Sequence, residues 1–445
     1  MTKGKNRVGE KDIVSKVEAY MQAMTQAGRF SGSALLAHKG KILHSAGYDL
    51  ANREHGVANT PYTKFRIGSI TKQFTAMAVM ILAEQGKLGV HDLLLQHLPY
   101  SPESWKEITI HHLLNHTSGL VNLTNFPGCQ ETTARLPLSV REVVELFREK
   151  PLEFRPGSQY RYSNSGYILL GDIIERASGI SYEVYLREHI FGPLEMADSG
   201  YDRFETILPH RASGYTRKDG EWTGVPYVDM GFPYAAGALY STVEDLYLWD
   251  QALLAGCLIT RESHARMMMI APLLAPYGYG LGMGREHNRR TVGHAGGIHG
   301  FRANFVRFPE EPACVIALCN SETSGFIEVT KSLGAILFSE KYEVPEAKTP
   351  AKISDTVLAA YVGTYELISG VTLHVESRDG RLLVTSGTAR SLFLPESETV
   401  FFREDSQDTL TFPASGKGPV RHLTLRQADV EVEARALPTE RAGRL

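Results

Sequence analysis

Alternating hydrophobic and polar positions predict strands near both ends of the first 340 or so residues, with helices between them. The strand-like segments are residues 33–38, 41–46, 291–296, 303–308 and 313–319. The first two flank Lys39-Gly40 and therefore predict a β-hairpin. Residues 327–341 and most of the region between the two groups of strands have helical periodicity instead. This order predicts an α+β fold, in which an antiparallel sheet is flanked by helices and accompanied by a helical lobe.

Two of the helical segments have a well-defined apolar face. The N-terminal 28 residues predict an amphipathic helix through Ile13, Val17, Tyr20, Met21 and Met24. A second helix begins at Ser69 and is expected to stop at Gly86. Its apolar positions are Phe74, Met77, Ala78, Ile81 and Leu82.

The pattern changes after residue 343. Residues 344–353 contain two prolines in a polar context and predict a linker. Short segments with a period of two follow, and Asp379-Gly380 is a strong hairpin turn between two of them. The predicted domains are therefore residues 1–343 and an all-β unit over residues 354–445. The number and spacing of its strands favour a small barrel over a sandwich or an open sheet.

Composition fits a two-domain globular protein without a nucleic-acid or membrane partner. The chain has 445 residues, is 43% hydrophobic and carries a formal net charge of −3. This charge gives no general attraction to nucleic acids, and the sequence has no apolar run long enough to span a membrane. The N-terminal segment lacks the apolar core of a signal peptide. A cytoplasmic location is expected, or an exported one if the sequence is a trimmed form.

Cysteine and histidine spacing gives no indication of a metal site or a disulfide framework. The four cysteines form no Cys-x-x-Cys pair. Cys314 and Cys319 fall on one predicted strand at an odd separation, so they should point to opposite faces. His112 and His116 are four residues apart, and we interpret them as polar side chains on one helix face rather than as a metal pair.

The segment Ser69-Ile70-Thr71-Lys72, at the start of the second helix, contains a candidate nucleophile and a candidate base. Residues three apart share a helix face, so Lys72 can reach the hydroxyl of Ser69. A serine becomes a good nucleophile when a neighbouring base takes its proton. A lysine can be that base if burial or nearby cations lower its pKa. The motif also arises by chance in a chain of this length, so its meaning depends on what accompanies it.

Two further motifs accompany it. Tyr162 and Asn164 lie in a polar, turn-like stretch before an apolar helical run, where a phenol can relay a proton and an amide can hold a carbonyl group. His294, Gly296 and Gly297 lie on a predicted strand, where glycines allow a ligand or another backbone to approach closely.

In this order and at these separations, the three motifs resemble those of the serine β-lactamase and penicillin-binding-protein superfamily. The Tyr-x-Asn and His-x-Gly variants are similar to the branch of class C β-lactamases, D-peptidases and carboxylesterases. Segments 113–120, 190–196, 236–242 and 278–282 also resemble that branch. The final domain resembles the lipocalin-like barrel that some members carry.

The resemblance implies catalytic roles for three residues. Ser69 is the nucleophile, and Lys72 together with Tyr162 accepts its proton. The backbone N–H groups of Ser69 and Gly297 form the oxyanion hole.

The remaining motif residues are expected to bind substrate. The resemblance implies that Asn164 holds the substrate and Lys72, and that Gly296 and Gly297 form the edge of the cleft. His294 takes the place of a lysine found in many relatives. Histidine has an unperturbed pKa of about 6.5. We therefore expect neutral substrates to be preferred at neutral pH, with β-lactam turnover gaining as the pH falls toward about 6. A cationic Lys72 nearby would oppose the charging of His294 and shift the transition to lower pH.

The sequence therefore predicts a serine hydrolase that cleaves esters or amides, such as D-amino-acid peptides or β-lactam-like compounds. Its partner would be a small molecule or a short peptide, and the mechanism needs no metal or cofactor. An acyltransferase or peptide cyclase using the same acyl-enzyme stays open. A non-catalytic scaffold-like member is a further alternative, although the intact motif set argues against it. Homo-oligomerisation is also left open.

Overall fold

The computed structural model describes residues 9–438, except for 219–220, 269–275, 323–324, 347, 368–369, 388, 405, 407, 414–419 and 428–429. The first eight residues of the predicted N-terminal helix lie outside the described residues. Residue 347 of the predicted linker and the last seven residues of the predicted barrel domain also lie outside them.

Helices form where the sequence has helical periodicity. They are α1 Glu10–Gln26, α2 Thr71–Glu84, α3 Leu94–His97, α4 Ile110–Leu114, α5 Val140–Arg148, α6 Asn164–Ser178, α7 Tyr182–Leu186, α8 Val243–Ala255, α9 Arg261–Met267, α10 Gly325–Phe338 and α11 Asp355–Ala359. The five apolar residues predicted to form one face of α1 are all buried.

Strands occupy both ends of the first domain and most of the second. Before the linker they are β1 Gly32–His38, β2 Lys41–Tyr48, β3 Leu50–Asn52, β4 Val57–Ala58, β5 Phe65–Arg66, β6 Gly200–Tyr201, β7 Tyr215–Lys218, β8 Glu221–Gly224, β9 Leu239–Ser241, β10 Gly282–Glu286, β11 Arg289–Ile298, β12 Phe301–Phe308 and β13 Ala313–Cys319. After it they are β14 Gly363–Leu367, β15 Thr372–Arg378, β16 Arg381–Ser386, β17 Ala389–Pro395, β18 Val400–Phe402, β19 Thr409–Thr411, β20 His422–Gln427 and β21 Val430–Ala436.

The main sheet has six antiparallel strands in the order β10-β11-β12-β13-β1-β2. The N-terminal hairpin therefore joins the late strands through the pair β1–β13, as the strand pattern at both ends predicted. Helices α1 and α10 pack on one face, and α8 packs on the other. Cys314 and Cys319 of β13 belong to different core clusters, which confirms that they point to opposite faces.

The helical lobe packs around α2 and α6. Both helices are largely buried because their apolar residues face several neighbours at once, including α4, α5 and α7. The N-terminal turn of α2 packs against β11 and β12. Ser69 therefore lies where the lobe meets the sheet.

The final eight strands close into an antiparallel barrel, in which β14 pairs with both β15 and β21. The predicted turn at Asp379-Gly380 is present, and both residues have positive φ angles of 51° and 76°. The barrel has its own core cluster, in which the rings of Tyr361 and Phe412 stack with their centroids 4.0 Å apart. The α+β fold followed by a closed barrel confirms the predicted fold class.

Across the described residues, no helix combines the length and apolar character needed to cross a lipid bilayer.

Candidate active site

Ser69 and Lys72 meet at the start of α2. A short 3-10 turn, Gly68–Ile70, leads directly into the helix. It places the Nζ of Lys72 3.0 Å from the Oγ of Ser69. The contact expected from the three-residue spacing is thus present.

Lys72 is completely buried and contacts neutral groups. Its Nζ donates to the Oδ1 of Asn164 at 2.8 Å and to the carbonyl oxygen of Ala236 at 2.7 Å. Burial lowers the pKa of Lys72 well below its usual 10.5. A neutral amine has two N–H groups and one lone pair, and both oxygens can only accept. The lone pair is therefore left to face the hydroxyl of Ser69, as a general base requires.

Tyr162 approaches the same hydroxyl from the loop before α6. Its Oη donates to the Oγ of Ser69 at 2.9 Å. Burial raises the pKa of Tyr162 above its usual 10, so the phenol keeps its proton at neutral pH. In this arrangement Lys72 can take a proton, while Tyr162 can donate a hydrogen bond or pass a proton on.

Asn164 is the first residue of α6 and is fixed at both ends of its side chain. Its Oδ1 accepts from Lys72, while its Nδ2 donates to the Oγ1 of Thr124 at 3.1 Å. Its backbone N–H donates to the Oδ1 of Asn122 at 3.0 Å. The amide is thereby held in one orientation.

Glycines bring the strand β11 against the turn that carries Ser69. A Cβ atom at Gly296 would lie 1.9 Å from the carbonyl oxygen of Ile67. Gly68 has a φ of +51°, and a Cβ there would lie 2.7 Å from the backbone nitrogen of Gly297. Only residues without a side chain allow this backbone approach.

A cleft of about 190 Å³ opens beside these groups. It is lined by Ser69, Thr124, Gln130, Asn164, Ile168, Val228, Phe232, Pro233, Ala236, Gly237, Gly297, Ile298 and His299. Burial lowers the pKa of His299, so this ring is neutral at pH 7. Among the described residues, the lining therefore holds no side chain that is charged at neutral pH.

His294 lies beside the cleft, with both ring nitrogens in use. Its Nδ1 is 2.5 Å from the carbonyl oxygen of Ala295, so Nδ1 carries the proton and donates it. Its Nε2 then accepts from the Oη of Tyr277 at 2.8 Å. Burial and the nearby Lys72 lower the pKa of His294 to about 4. The charging of His294 is thus shifted below about pH 6, in the direction expected from a nearby Lys72.

The structure brings together all of the predicted site residues: Ser69, Lys72, Tyr162, Asn164, His294, Gly296 and Gly297. Their roles remain predictions. Of the seven, Ser69, Asn164 and Gly297 line the cleft, whereas Lys72, Tyr162, His294 and Gly296 do not. The ring of His294 lies near that of Tyr162, with ring centroids 6.1 Å apart.

The prediction that His112 and His116 share a polar helix face is wrong for His116. Helix α4 ends at Leu114, and His116 has a φ of +60° in the following loop. Its side chain is buried and its ring lies against that of Tyr162. Helical spacing alone could not show this, because the loop is held by contacts with residues 157–165.

Sequence reasoning also missed Tyr277, Thr124 and Gln130. Tyr277 precedes the glycine-rich stretch 278–282, whose resemblance to the family was the one indication that this segment lies near the site. In the described part of the chain, no three His, Cys, Asp or Glu side chains are grouped so as to hold a metal ion.

Two family models match the chain. The β-lactamase model matches residues 15–335, and the model of a domain of unknown function, DUF3471, matches residues 347–441. Penicillin-binding protein 4* of Bacillus subtilis (strain 168) is 30% identical over 415 residues, which cover 87% of this chain and 90% of that protein.

Solved structures are similar over the same regions. The octameric penicillin-binding protein homologue from Pyrococcus abyssi has a TM-score of 0.66 and 25% identity, covering 94% of this chain and 99% of that one. The D-amino acid amidase from Ochrobactrum anthropi SV3 has a TM-score of 0.64 and 25% identity, covering 72% of this chain and 99% of that one.

Proposed function

The chain belongs to the β-lactamase family, whose members are generally serine hydrolases, and we propose that it cleaves an ester or amide bond through an acyl-enzyme on Ser69. One observation carries the proposal. The hydroxyl of Ser69 lies within hydrogen-bond distance of a buried lysine whose pKa is lowered and of a buried phenol.

Acylation would begin with attack of Ser69 Oγ on the substrate carbonyl carbon. The Oγ–C bond forms while the hydroxyl proton passes to Lys72. The negative charge that develops on the carbonyl oxygen would be stabilised by the backbone N–H groups of Ser69 and Gly297. One such donor is typically worth about 3 kcal/mol in the transition state. The proton then moves, through Tyr162, to the leaving oxygen or nitrogen as the scissile bond breaks.

Deacylation would repeat the sequence with water. Lys72 takes a proton from the attacking water, with Tyr162 relaying it by passing its own proton on, and the bond between the acyl group and Oγ breaks. The proton returns to Ser69, and the acid product leaves. An amine could take the place of water, which would make the same acyl-enzyme a transferase or a cyclase.

The cleft favours an uncharged acyl group. Its described lining carries no charge at neutral pH and includes the apolar side chains of Ile168, Val228 and Phe232. His294 is neutral, and both of its ring nitrogens are engaged, so binding a substrate carboxylate there would cost an existing hydrogen bond. We therefore place short neutral esters and amides ahead of carboxylate-bearing β-lactams.

Intact-mass spectrometry after incubation with a panel of esters, D-amino-acid amides and β-lactams tests the proposal. We expect a mass increase equal to one acyl group, located on Ser69, together with turnover of the same compound. Ser69→Ala should abolish both, a loss of at least about a thousandfold in kcat. The exposed Ser104→Ala serves as the matched control and should behave like the parent. Turnover that persists in folded Ser69→Ala would refute the proposal.

Two other features of the protein are proposals of the same kind. The separate family matches on either side of residues 336–346 support two domains joined near the predicted linker. The similarity to an octameric homologue over 94% of this chain supports self-association, which analytical ultracentrifugation would measure directly.

A further inference from the structure

His116 occupies an unusual position for a histidine. It follows α4 in the left-handed conformation, with a φ of +60°, and only 1% of its surface is exposed. Glycine adopts this conformation at low cost, and few other residues adopt it, although asparagine, aspartate and histidine do so more often than the rest. A residue that keeps such a conformation in the interior is held there by its surroundings.

Two hydrogen bonds join His116 to the residues on either side of Tyr162. The backbone N–H of Arg161 donates to the carbonyl oxygen of His116 at 2.9 Å. The backbone N–H of Ser163 donates to its Nδ1 at 3.2 Å. The imidazole ring also lies against the ring of Tyr162, with centroids 4.2 Å apart. One histidine thus fixes the backbone before and after this tyrosine and one face of its ring.

We propose that His116 is a positioning residue, which holds Tyr162 so that its hydroxyl stays in hydrogen-bond contact with Ser69. The inference rests on the proposed function, because it gives Tyr162 a part in proton transfer. It adds a group that does not touch the Oγ of Ser69 and that acts only through the tyrosine.

The hydrogen bonds fix the form of the ring that can do this. An amide N–H must donate, so the Nδ1 of His116 accepts and Nε2 carries the proton. This Nε2 is buried and has no hydrogen-bond partner within the described residues. The imidazole ring lies near the rings of Tyr160, Tyr167 and Tyr277. Burial, Lys72 and His294 all lower the pKa of His116, which preserves the neutral ring that Ser163 requires.

The loop around Tyr162 has other anchors, but they hold its C-terminal side. Ser163 Oγ and Ser165 Oγ donate to the carbonyl oxygen of Val121, and the backbone N–H of Asn164 donates to Asn122. These bonds fix the start of α6. On the N-terminal side of Tyr162, the backbone N–H of Arg161 donates to His116, and the bond from Gly157 to the carbonyl oxygen of Thr117 lies five residues before the tyrosine.

Two variants separate the effect of losing the Nδ1 acceptor from the effect of losing the imidazole ring. His116→Asn and His116→Gly both tolerate the left-handed backbone and both lose the imidazole, but the Oδ1 of asparagine can replace Nδ1 as acceptor. A misplacement of about 1 Å in a reacting group can cost about a hundredfold in rate. We expect kcat of His116→Gly to fall at least about thirtyfold, with KM changed by less than about threefold. The kcat of His116→Asn should be at least about tenfold higher than that of His116→Gly.

A double-mutant cycle with Tyr162→Phe distinguishes positioning from a general structural effect. If His116 acts through the phenol, His116→Gly should cost less than about twofold in kcat once the hydroxyl is gone. Equal losses in both backgrounds would overturn the proposal, as would folded His116→Asn with a loss as large as that of His116→Gly. If the proposed function itself is wrong, Tyr162→Phe and Ser69→Ala will each leave turnover unchanged. That result differs both from equal losses in the two backgrounds and from a loss in His116→Asn as large as that in His116→Gly.

Discussion

The interiors of the two domains differ in kind. The β-lactamase-like domain, which contains the proposed catalytic residues, buries many polar and charged side chains, among them Lys72, Asn115, His116 and Ser163 around the site. Within the described residues of the barrel, the buried side chains are apolar apart from the hydroxyls of tyrosines such as Tyr361 and Tyr365. Those two hydroxyls donate to backbone carbonyls at 2.8 and 2.9 Å.

The apolar interior of the barrel serves stability, whereas the polar groups buried around Ser69 serve the proposed chemistry. A buried polar group costs free energy unless it is hydrogen-bonded, so an apolar core is the simpler way to hold a fold. The catalytic domain also contains polar groups with a purely structural partner, such as Arg307, which contacts Asp250 at 2.5 Å. The groups around Ser69 differ because their hydrogen bonds converge on one hydroxyl at the edge of a cleft.

The largest effect should come from changing the buried amine. Lys72→Arg introduces a cation that cannot lose its proton and so cannot act as a base, and we expect kcat to fall about a thousandfold. In the parent, kcat/KM should rise with pH through the lowered pKa of Lys72, well below 10.5, and this limb should be absent from the variant. The exposed Lys87→Arg is the matched control. A variant that retains a tenth of the activity would show that Lys72 is not the base.

Truncating one buried phenylalanine in each domain tests the comparison between the two interiors. Phe305 on β12 and Phe401 on β18 are both fully buried, and truncation to alanine should cost about 3–5 kcal/mol of unfolding free energy at each site. Phe305 pairs with His294 across the sheet, so Phe305→Ala should also lower kcat at least about tenfold.

Phe401→Ala should destabilise the barrel and leave kcat within about twofold, because the rings packed against it, those of Tyr361 and Phe412, belong to the core of the barrel. Calorimetry and initial rates, both measured below the first unfolding transition, provide the test. Equal losses of kcat in the two variants would mean that the barrel supports the site directly.

The smallest effect is expected in the pH dependence of substrate preference. The pKa of His294 is about 4, so the ring stays neutral above about pH 5.5. The ratio of kcat/KM for a chromogenic cephalosporin to that for a nitrophenyl ester should change less than about twofold from about pH 5.5 to about 8.5. A ratio that rises toward pH 6 in the parent but not in His294→Ala would restore the titration expected from sequence.

Local patterns predicted most of the fold and the main site contacts. The three-residue spacing of Ser69 and Lys72 follows from helix geometry, and the odd separation of Cys314 and Cys319 follows from strand geometry. His116 could not be found in this way, since its conformation depends on a loop more than 40 residues away. The lowered pKa of His294 depends likewise on burial and on Lys72, which lies on another segment of the chain.

The close approaches of Gly68 to Gly297 and of Gly296 to Ile67 also bear on how such a protein can diverge. At these two points the turn and the strand meet without a Cβ atom between them, so no side chain there sets the distance from the turn to the strand. Changes at Ile168, Val228 or Phe232 can alter the walls of the cleft while the distance from the nucleophile to the strand stays constant. New substrate selectivity can therefore evolve, or be designed, without a change in the position of the nucleophile relative to the strand.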